Sequence, residues 1–300
     1  MPALPALSLA AVPGRRAPTL ELAKEIERRE FSGIYCPSIG DSLALCEALA
    51  FVTSEIRFGT SISPIYTRHP SEFASAASFI HEVSGGRFIF GAGVSHSATM
   101  ERLGVKAGRP LADMRRFVDD LKSAPRVGEL PPIMLATLRR GMIRLAGEIA
   151  DGMVLANAAR SQVGMSLGAL PDTARDSDFF IGCMTPTCVN EDRQAAAAVN
   201  RRTLTRYAML PNYRNYWREA GYEEEMAGVE ADMRANDMDG VGRALSDRWL
   251  ADTTLFGSPA DVREGIEAWF DAGIKTPIIV PSSANGGQFV AFEEFFAIWD

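Results

Sequence analysis

Three hundred residues, 47% apolar and 23% charged, are enough to bury a large core in one large domain or two small ones. A net charge of −7 without a dense Lys/Arg patch argues against tracking a nucleic-acid backbone. The apolar stretches fall short of the roughly 18 residues of a membrane span. In MPALPALSLAAVPGRR the basic pair follows the apolar run, the reverse of a secretory signal, so a cytoplasmic protein with no membrane partner is expected.

In chain order, short β-rich or apolar runs alternate with helical patterns, and strands are predicted near 5–11, 32–36, 56–62, 87–92, 132–136, 152–156, 178–184 and 277–281. Between the third and fourth, Phe73, Ala76, Ala77, Ile80 and Val83 share a helical face. Leu111, Met114, Val118 and Leu121 mark the next helix, and Leu138, Met142, Leu145, Ala146 and Ile149 the one after the fifth strand. Residues 190–256, between the seventh and eighth strands, break the rhythm with a helical segment rich in Tyr, Trp, Arg and Met, including RYAMLPNYRNYWREAGY. Such density suits a pocket lid or a subunit contact, and equally the ordinary packing of a larger domain. The best-bounded helix lies in GSPADVREGIEAWFDAGI: Ser258 caps, Pro259 takes the first helical position, Asp261 completes a capping box and Gly273 closes. Its buried stripe is Val262, Ile266, Trp269 and Phe270.

Eight strands alternating with helices predict one α/β domain over 1–300, a (β/α)8 TIM barrel with a helical insertion at about 190–256. An open doubly wound sheet is the competing arrangement, but no GxGxxG or GxxxxGK[ST] follows the first strand. Cys36, Cys46, Cys183 and Cys188 lack metal-ligand spacing and read as reduced thiols, each most simply a small buried residue; no metal site is expected.

In such a barrel, ligands lie where strands end and helices begin. The third strand leaves through Ser61-Ile62-Ser63-Pro64, where Pro64 lacks a donor and disfavours a helical Ser63. The fourth leaves through Gly91-Ala92-Gly93-Val94-Ser95-His96, whose glycines allow a ligand close to the backbone. The fifth runs through Ala136-Thr137-Leu138-Arg139-Arg140-Gly141 into a helix start that suits a phosphate, unless both arginines are simply solvated. His96 is the candidate acid or base, with a cofactor contact or an exposed loop position as the alternative. His69 suits helix-start hydrogen bonding and His81 a structural role. Arg68 either grips an anion or pairs with a carboxylate that the sequence does not identify. Cys36 lines a pocket or is reactive, or, with nothing nearby to lower its pKa, simply packs, and Asn157 faces the phosphate end or turns the chain. Ser84-Gly85-Gly86-Arg87 stops a helix at the far end of the barrel and is expected to stabilise.

The stretches RHPSEFASAASFIHEVSGGRFIFGAGVSHS, PPIMLATLRRGMIRLAGEIADGMVLAN and FGSPADVREGIEAWFDAGIKTPIIVP together resemble the bacterial luciferase-like superfamily of flavin and deazaflavin oxidoreductases. Within it, GTSISPIYTRHP is similar to the third strand of the coenzyme F420-dependent reductases, where a bulge with a non-prolyl cis peptide backs the ring; by position it falls at Ser61-Ile62. The resemblance implies a ring held between strand three at Ser61, Ile62 and Ser63 and the Gly93-Val94-Ser95 loop, with the phosphate near Thr137, Leu138 and Gly141; Ala136 and Asn157 are further candidate cofactor contacts. Ser95 or His96 would contact the ring or relay a proton. It further implies a homodimer that passes hydride between coenzyme F420 and a small organic substrate. An FMN-dependent monooxygenase and a non-catalytic flavin or deazaflavin binding protein are the alternatives. Leu9-Ala10-Ala11 and Tyr35-Cys36-Pro37-Ser38 stand where such reductases often carry acid or base groups, and a short connection before the fifth strand leaves one side of the mouth more open.

Overall fold

The computed structural model describes residues 4–175 and 178–300, without the side chains of Ser97, Ala98 and Arg102. Its ten strands are β1 (Ala6–Ser8), β2 (Ile34–Cys36), β3 (Phe58–Thr60), β4 (Ser63–Pro64), β5 (Phe88–Gly93), β6 (Ile133–Ala136), β7 (Gly152–Ala156), β8 (Phe180–Val189), β9 (Leu255–Gly257) and β10 (Thr276–Ser282). With helices between successive strands, except between β3 and β4, the architecture is the α/β, (β/α)8 TIM-barrel class that the alternation predicts.

The chain divides into two compact units, residues 1–154 with 169–182 and residues 155–168 with 183–300. In the first, the strand order is β1-β2-β3-β5-β6-β7, each described pair parallel, with β4 beside β5. Strands buried on both faces explain the continuous apolar runs in the sequence. Outside them Phe73 of the helix Pro70–Val83 meets Phe90 at 5.5 Å and Phe117 of the helix Pro110–Lys122 at 5.5 Å. The predicted face of the first helix holds for Phe73, Ala77 and Ile80. Val83 and Leu111 are exposed instead, because they lie in terminal turns that reach past the core. In the helix Arg140–Ile149 Ile143 joins Leu145 and Ala146 inside, displacing the expected Met142 and Ile149 to partial exposure.

Arg87 fastens the N-terminal ends of these strands. Its guanidinium donates to the carbonyls of Ala50, Thr53, Ile56 and Ser84 and to the Thr53 hydroxyl, and lies 5.2 Å from the Phe58 ring centre. The stabilising role expected for 84–87 is thus met by one side chain that satisfies several buried carbonyls. A cavity of about 970 Å³ opens beside it, lined by Arg57, His81, Glu129 and Asp151 among others. It holds none of the predicted site residues, consistent with the structural character of that end of the fold.

In the second unit β8 pairs with β9 and β10. The insertion forms the helices Arg193–Ala208, Pro211–Glu219, Glu223–Ala235, Met238–Ala244 and Asp247–Thr253. It does not run straight into the following helix: β9 intervenes, pairing Leu255, Phe256 and Gly257 with Thr187, Cys188 and Val189. Three residues are too few for a strand period to show in a sequence. Trp217 and Trp249 form the centre of this unit, edge to face at 4.8 Å. The helix Pro259–Asp271 keeps its predicted capping box, with Val262, Ile266 and Trp269 buried and Phe270 only partly so.

Candidate active site

Strand three becomes a site through a change of register. Phe58 and Gly59 of β3 face Phe88 and Ile89, whereas Ser63 and Pro64 of β4 face Ala92 and Gly93. Three residues, 60–62, therefore oppose two, 90–91, which is a β-bulge. Where the ladder lapses, the Thr60 hydroxyl replaces it, donating to the Gly91 carbonyl at 2.7 Å and accepting from the Gly91 N–H at 2.9 Å. The Ser61-Ile62 peptide bond is cis, at the position the resemblance implies. Ser61 N–H donates to the Cys36 carbonyl at 2.7 Å, and the hydroxyls of Ser63 and Ser42 are 3.0 Å apart.

The bulge lies against the ends of β5 and β6. A Cβ built on Gly93 would stand 2.6 Å from Ile62 Cδ1 and 3.0 Å from Ala136 Cβ. A side chain there would have to push Ile62 aside, so Ile62, Gly93 and Ala136, far apart in sequence, meet at one surface. Val94, Ser95 and His96 follow half-buried, Ser95 with φ +62°. His96 takes the N-cap position of the helix Ser97–Leu103 without a side-chain cap bond. Burial holds its imidazole below the ordinary pKa of 6.5, so the neutral ring predominates at pH 7.

One strand further on, Thr137 N–H donates to the Val154 carbonyl at 2.8 Å, while the buried Thr137 hydroxyl has no partner among the described residues. The helix Arg140–Ile149 begins beside it without a side-chain cap. An orphaned hydroxyl next to uncapped N–H groups is a seat for an anion. Leu138 is half-buried, and Gly141 lies exposed in the first turn, Leu111 Cδ1 standing 3.4 Å from a Cβ built there. Asn157, in the second unit, has φ +54°, accepts from Trp217 Nε1 at 3.1 Å through its carbonyl, and hydrogen-bonds Tyr207 and Tyr213 through its side chain. Its N–H donates to the Met184 carbonyl of β8 at 3.0 Å, and the other partners named lie in the insertion.

Several other residues now have definite places. Arg68 pairs with Asp41, whose other oxygen caps the helix Ser42–Val52 by accepting from Leu43 and Ala44 N–H. His69 accepts from Ser71 N–H at the start of its helix, as expected. His81 Nδ1 has no partner among the described residues. Cys36 is buried, and burial together with its contact to Cys36 pushes the Cys46 thiol up, which favours packing over reactivity for Cys46. All four cysteines are free and buried.

The sequence reading missed Asp113. It accepts from the Tyr66 hydroxyl at 2.6 Å and Gly108 N–H at 2.8 Å, tying the connection after the His96 helix to the exit of β4. Burial, then the Asp113 bond, pushes the Tyr66 phenol up to about 12, keeping it a proton-bearing donor. Nothing in the local pattern of 104–113 signals this; only the Asp41 cap is readable, as an acid before an apolar helical run.

Residues 6–276 match the family model described as luciferase-like monooxygenase. A Mycobacterium tuberculosis protein whose name carries the words coenzyme F420-dependent oxidoreductase is 26% identical over 281 residues, covering 78% of this chain and 81% of the relative. The 5,10-methylenetetrahydromethanopterin reductase of Archaeoglobus fulgidus is 26% identical over 259 residues, covering 75% and 77%. The solved coenzyme F420-dependent tetrahydromethanopterin reductase of Methanopyrus kandleri superposes with a TM-score of 0.77 at 16% identity, over 99% of this chain and 98% of that one, a likeness of fold. Among the described residues no helix is long and apolar enough to cross a membrane, and no metal-binding cluster is found.

Proposed function

The chain belongs to the luciferase-like monooxygenase family and is an oxidoreductase of that fold, and on that premise we propose that it transfers hydride between coenzyme F420 and a small organic substrate. The observation that carries the proposal is the buried Thr137 hydroxyl, unpartnered among the described residues and beside an uncapped helix start, next in the chain to Ala136 of the surface where Ile62, Gly93 and Ala136 meet. The residues fit a ring-bearing cofactor with a phosphate: an apolar backing, a glycine approach and an anion seat. The relative named for coenzyme F420 supports the deazaflavin. Such a cofactor, when bound, supplies hydride at C5 of its ring.

The chain's own groups do the rest. Ile62 and Ala136 exclude water from one face of the seat, and Ser61 and Ser63 are fixed by the Cys36 carbonyl and the Ser42 hydroxyl. Thr137 and the first N–H groups of the helix Arg140–Ile149 bind the phosphate. His96, neutral at pH 7, accepts a proton or orders the substrate, and Ser95 presents its hydroxyl beside it. A second reading, an FMN-dependent monooxygenase, is favoured by the description of the family itself. Equilibrium titration of cofactor-free protein with coenzyme F420 and, separately, FMN discriminates the two. Saturable, clearly tighter F420 binding is expected; preference for FMN moves the assignment to the monooxygenase, and binding of neither removes the proposal.

The His96 role predicts a pH signature. Because its folded-state pKa lies below the ordinary value, the imidazole is neutral above pH 6.5 and becomes protonated below its folded pKa. Turnover should be level above pH 6.5 and fall on the acid side, and His96→Gln should flatten that limb while lowering kcat about tenfold or more. The same shift makes stability fall as pH drops below the unfolded pKa of about 6.5, since the unfolded chain binds the proton first. An acid limb that persists in His96→Gln would remove His96 from proton handling.

We read the assembly as a homodimer. Phe51 of the helix Ser42–Val52 and Phe79 and Val83 of the neighbouring helix Pro70–Val83 are exposed apolar residues suited to a second copy. Light scattering should give twice the 32.6 kDa chain mass; a monomer at micromolar concentration would refute this.

A further inference from the structure

Residues 193–218 carry six arginines and no acidic residue, in a chain whose net charge is −7. Four of the six are committed to the fold. Arg193 donates to the Phe256 carbonyl, lies over the Phe256 ring and pairs with Asp261. Arg201 donates to the Leu245 carbonyl and Asp247. Arg214 donates to the Ala208 carbonyl and Glu230, and Arg218 pairs with Glu223 and Glu230. Arg202 and Arg206 are exposed and make no hydrogen bond or ion pair with any described residue.

These two line a groove of about 930 Å³ between the helix Arg193–Ala208 and the segment 238–247. Gly242 and Thr205 are both in its lining and meet at ordinary contact distance: a Cβ on Gly242 would stand 3.7 Å from Thr205 Oγ1. Arg201 and Arg243 are also in the lining, held by Asp247 and Asp237. Asp239 is the one lining carboxylate that no arginine pairs with among the described residues, so the groove keeps a positive excess. Arg202 and Arg206 are four residues apart on one helix, about 6 Å along its axis, a spacing that two anionic groups of one small molecule can span. Guanidinium forks bind carboxylate and phosphate oxygens in pairs.

The geometry points to a second binding site, for a small molecule bearing two anionic groups, phosphate or carboxylate, bridged by Arg202 and Arg206. A nucleic acid does not fit, because among the described residues only two cations of the groove are uncommitted and the chain as a whole is acidic. The site is independent of the hydride-transfer reading, and nothing in that reading uses these arginines.

The test is isothermal titration of the full chain with inorganic pyrophosphate and, separately, with citrate, at low and at high salt. Saturable binding is expected for at least one probe, weakened by salt. The double variant Arg202→Gln/Arg206→Gln should lose it by about tenfold or more, whereas Arg126→Gln/Arg234→Gln, with the same charge change elsewhere, should keep it. The preferred probe then assigns phosphate or carboxylate. Thermal melts of both double variants should match the parent, since the four side chains are exposed. Absence of saturable binding, or equal binding by the Arg202/Arg206 variant, overturns the site. Loss of probe binding on Thr137→Val instead would place the anion at the helix start beside β6.

Discussion

Replacing Gly91 by alanine is expected to cost about 3 kcal/mol of stability and to abolish cofactor binding. A Cβ there would stand 1.9 Å from the Thr60 carbonyl oxygen and 2.8 Å from Met134 Cε. Met134 can turn its thioether aside, but the Thr60 oxygen belongs to the backbone, so β3 and β5 must separate. Separation breaks the paired bonds between the Thr60 hydroxyl and Gly91, each worth about 1 kcal/mol net, and leaves buried groups unsatisfied. It also displaces the bulge at 60–62, and with it the apposition of Ile62 to Gly93. Urea unfolding with intrinsic fluorescence measures the loss, and cofactor titration of the remaining folded protein measures the seat. A destabilisation under about 1 kcal/mol would mean that the bulge does not depend on this approach.

Thr137→Val is the opposite experiment, a loss of function without loss of fold. The hydroxyl is buried and unpartnered, so the cofactor-free chain bears its desolvation cost, and valine of nearly the same shape should leave stability unchanged or raise it slightly. In the complex the same hydroxyl would bond a charged phosphate, an interaction of about 1.5–3 kcal/mol, so affinity should fall roughly 10- to 100-fold. The titration that identifies the cofactor, repeated on this variant beside a thermal melt, reads both quantities. Equal affinity would remove Thr137 from the seat; weaker binding accompanied by a large drop in stability would make its role structural.

The physics of single elements was legible before any coordinates. The capping box of Ser258 and Asp261 is local chemistry within four residues, and the structure has both of its bonds. The buried faces of the helices follow from a period of 3.6, and they failed where a terminal turn overshoots the core, at Val83 and Leu111. The candidate site was legible in part. Gly93 could be singled out as a glycine at a strand end, and Ile62 through the resemblance that implies a bulge at Ser61-Ile62. That the two touch each other and Ala136 was not legible, since contact across 31 residues depends on register. Asp41 with Arg68, and Asp113 with Tyr66, joined segments with no common pattern.

By itself, then, the sequence determined the alternation of strand and helix, the ends of the strands as the place for chemistry, and the family. Each of these is written in nearest-neighbour periodicity or in motifs of a few residues. The tertiary structure alone decided where strand three takes its extra residue, which hydroxyl is left without a partner, and which two arginines of six stay uncommitted. Those outcomes depend on how strands and helices distant in the chain are paired, so a short window of sequence carries no record of them.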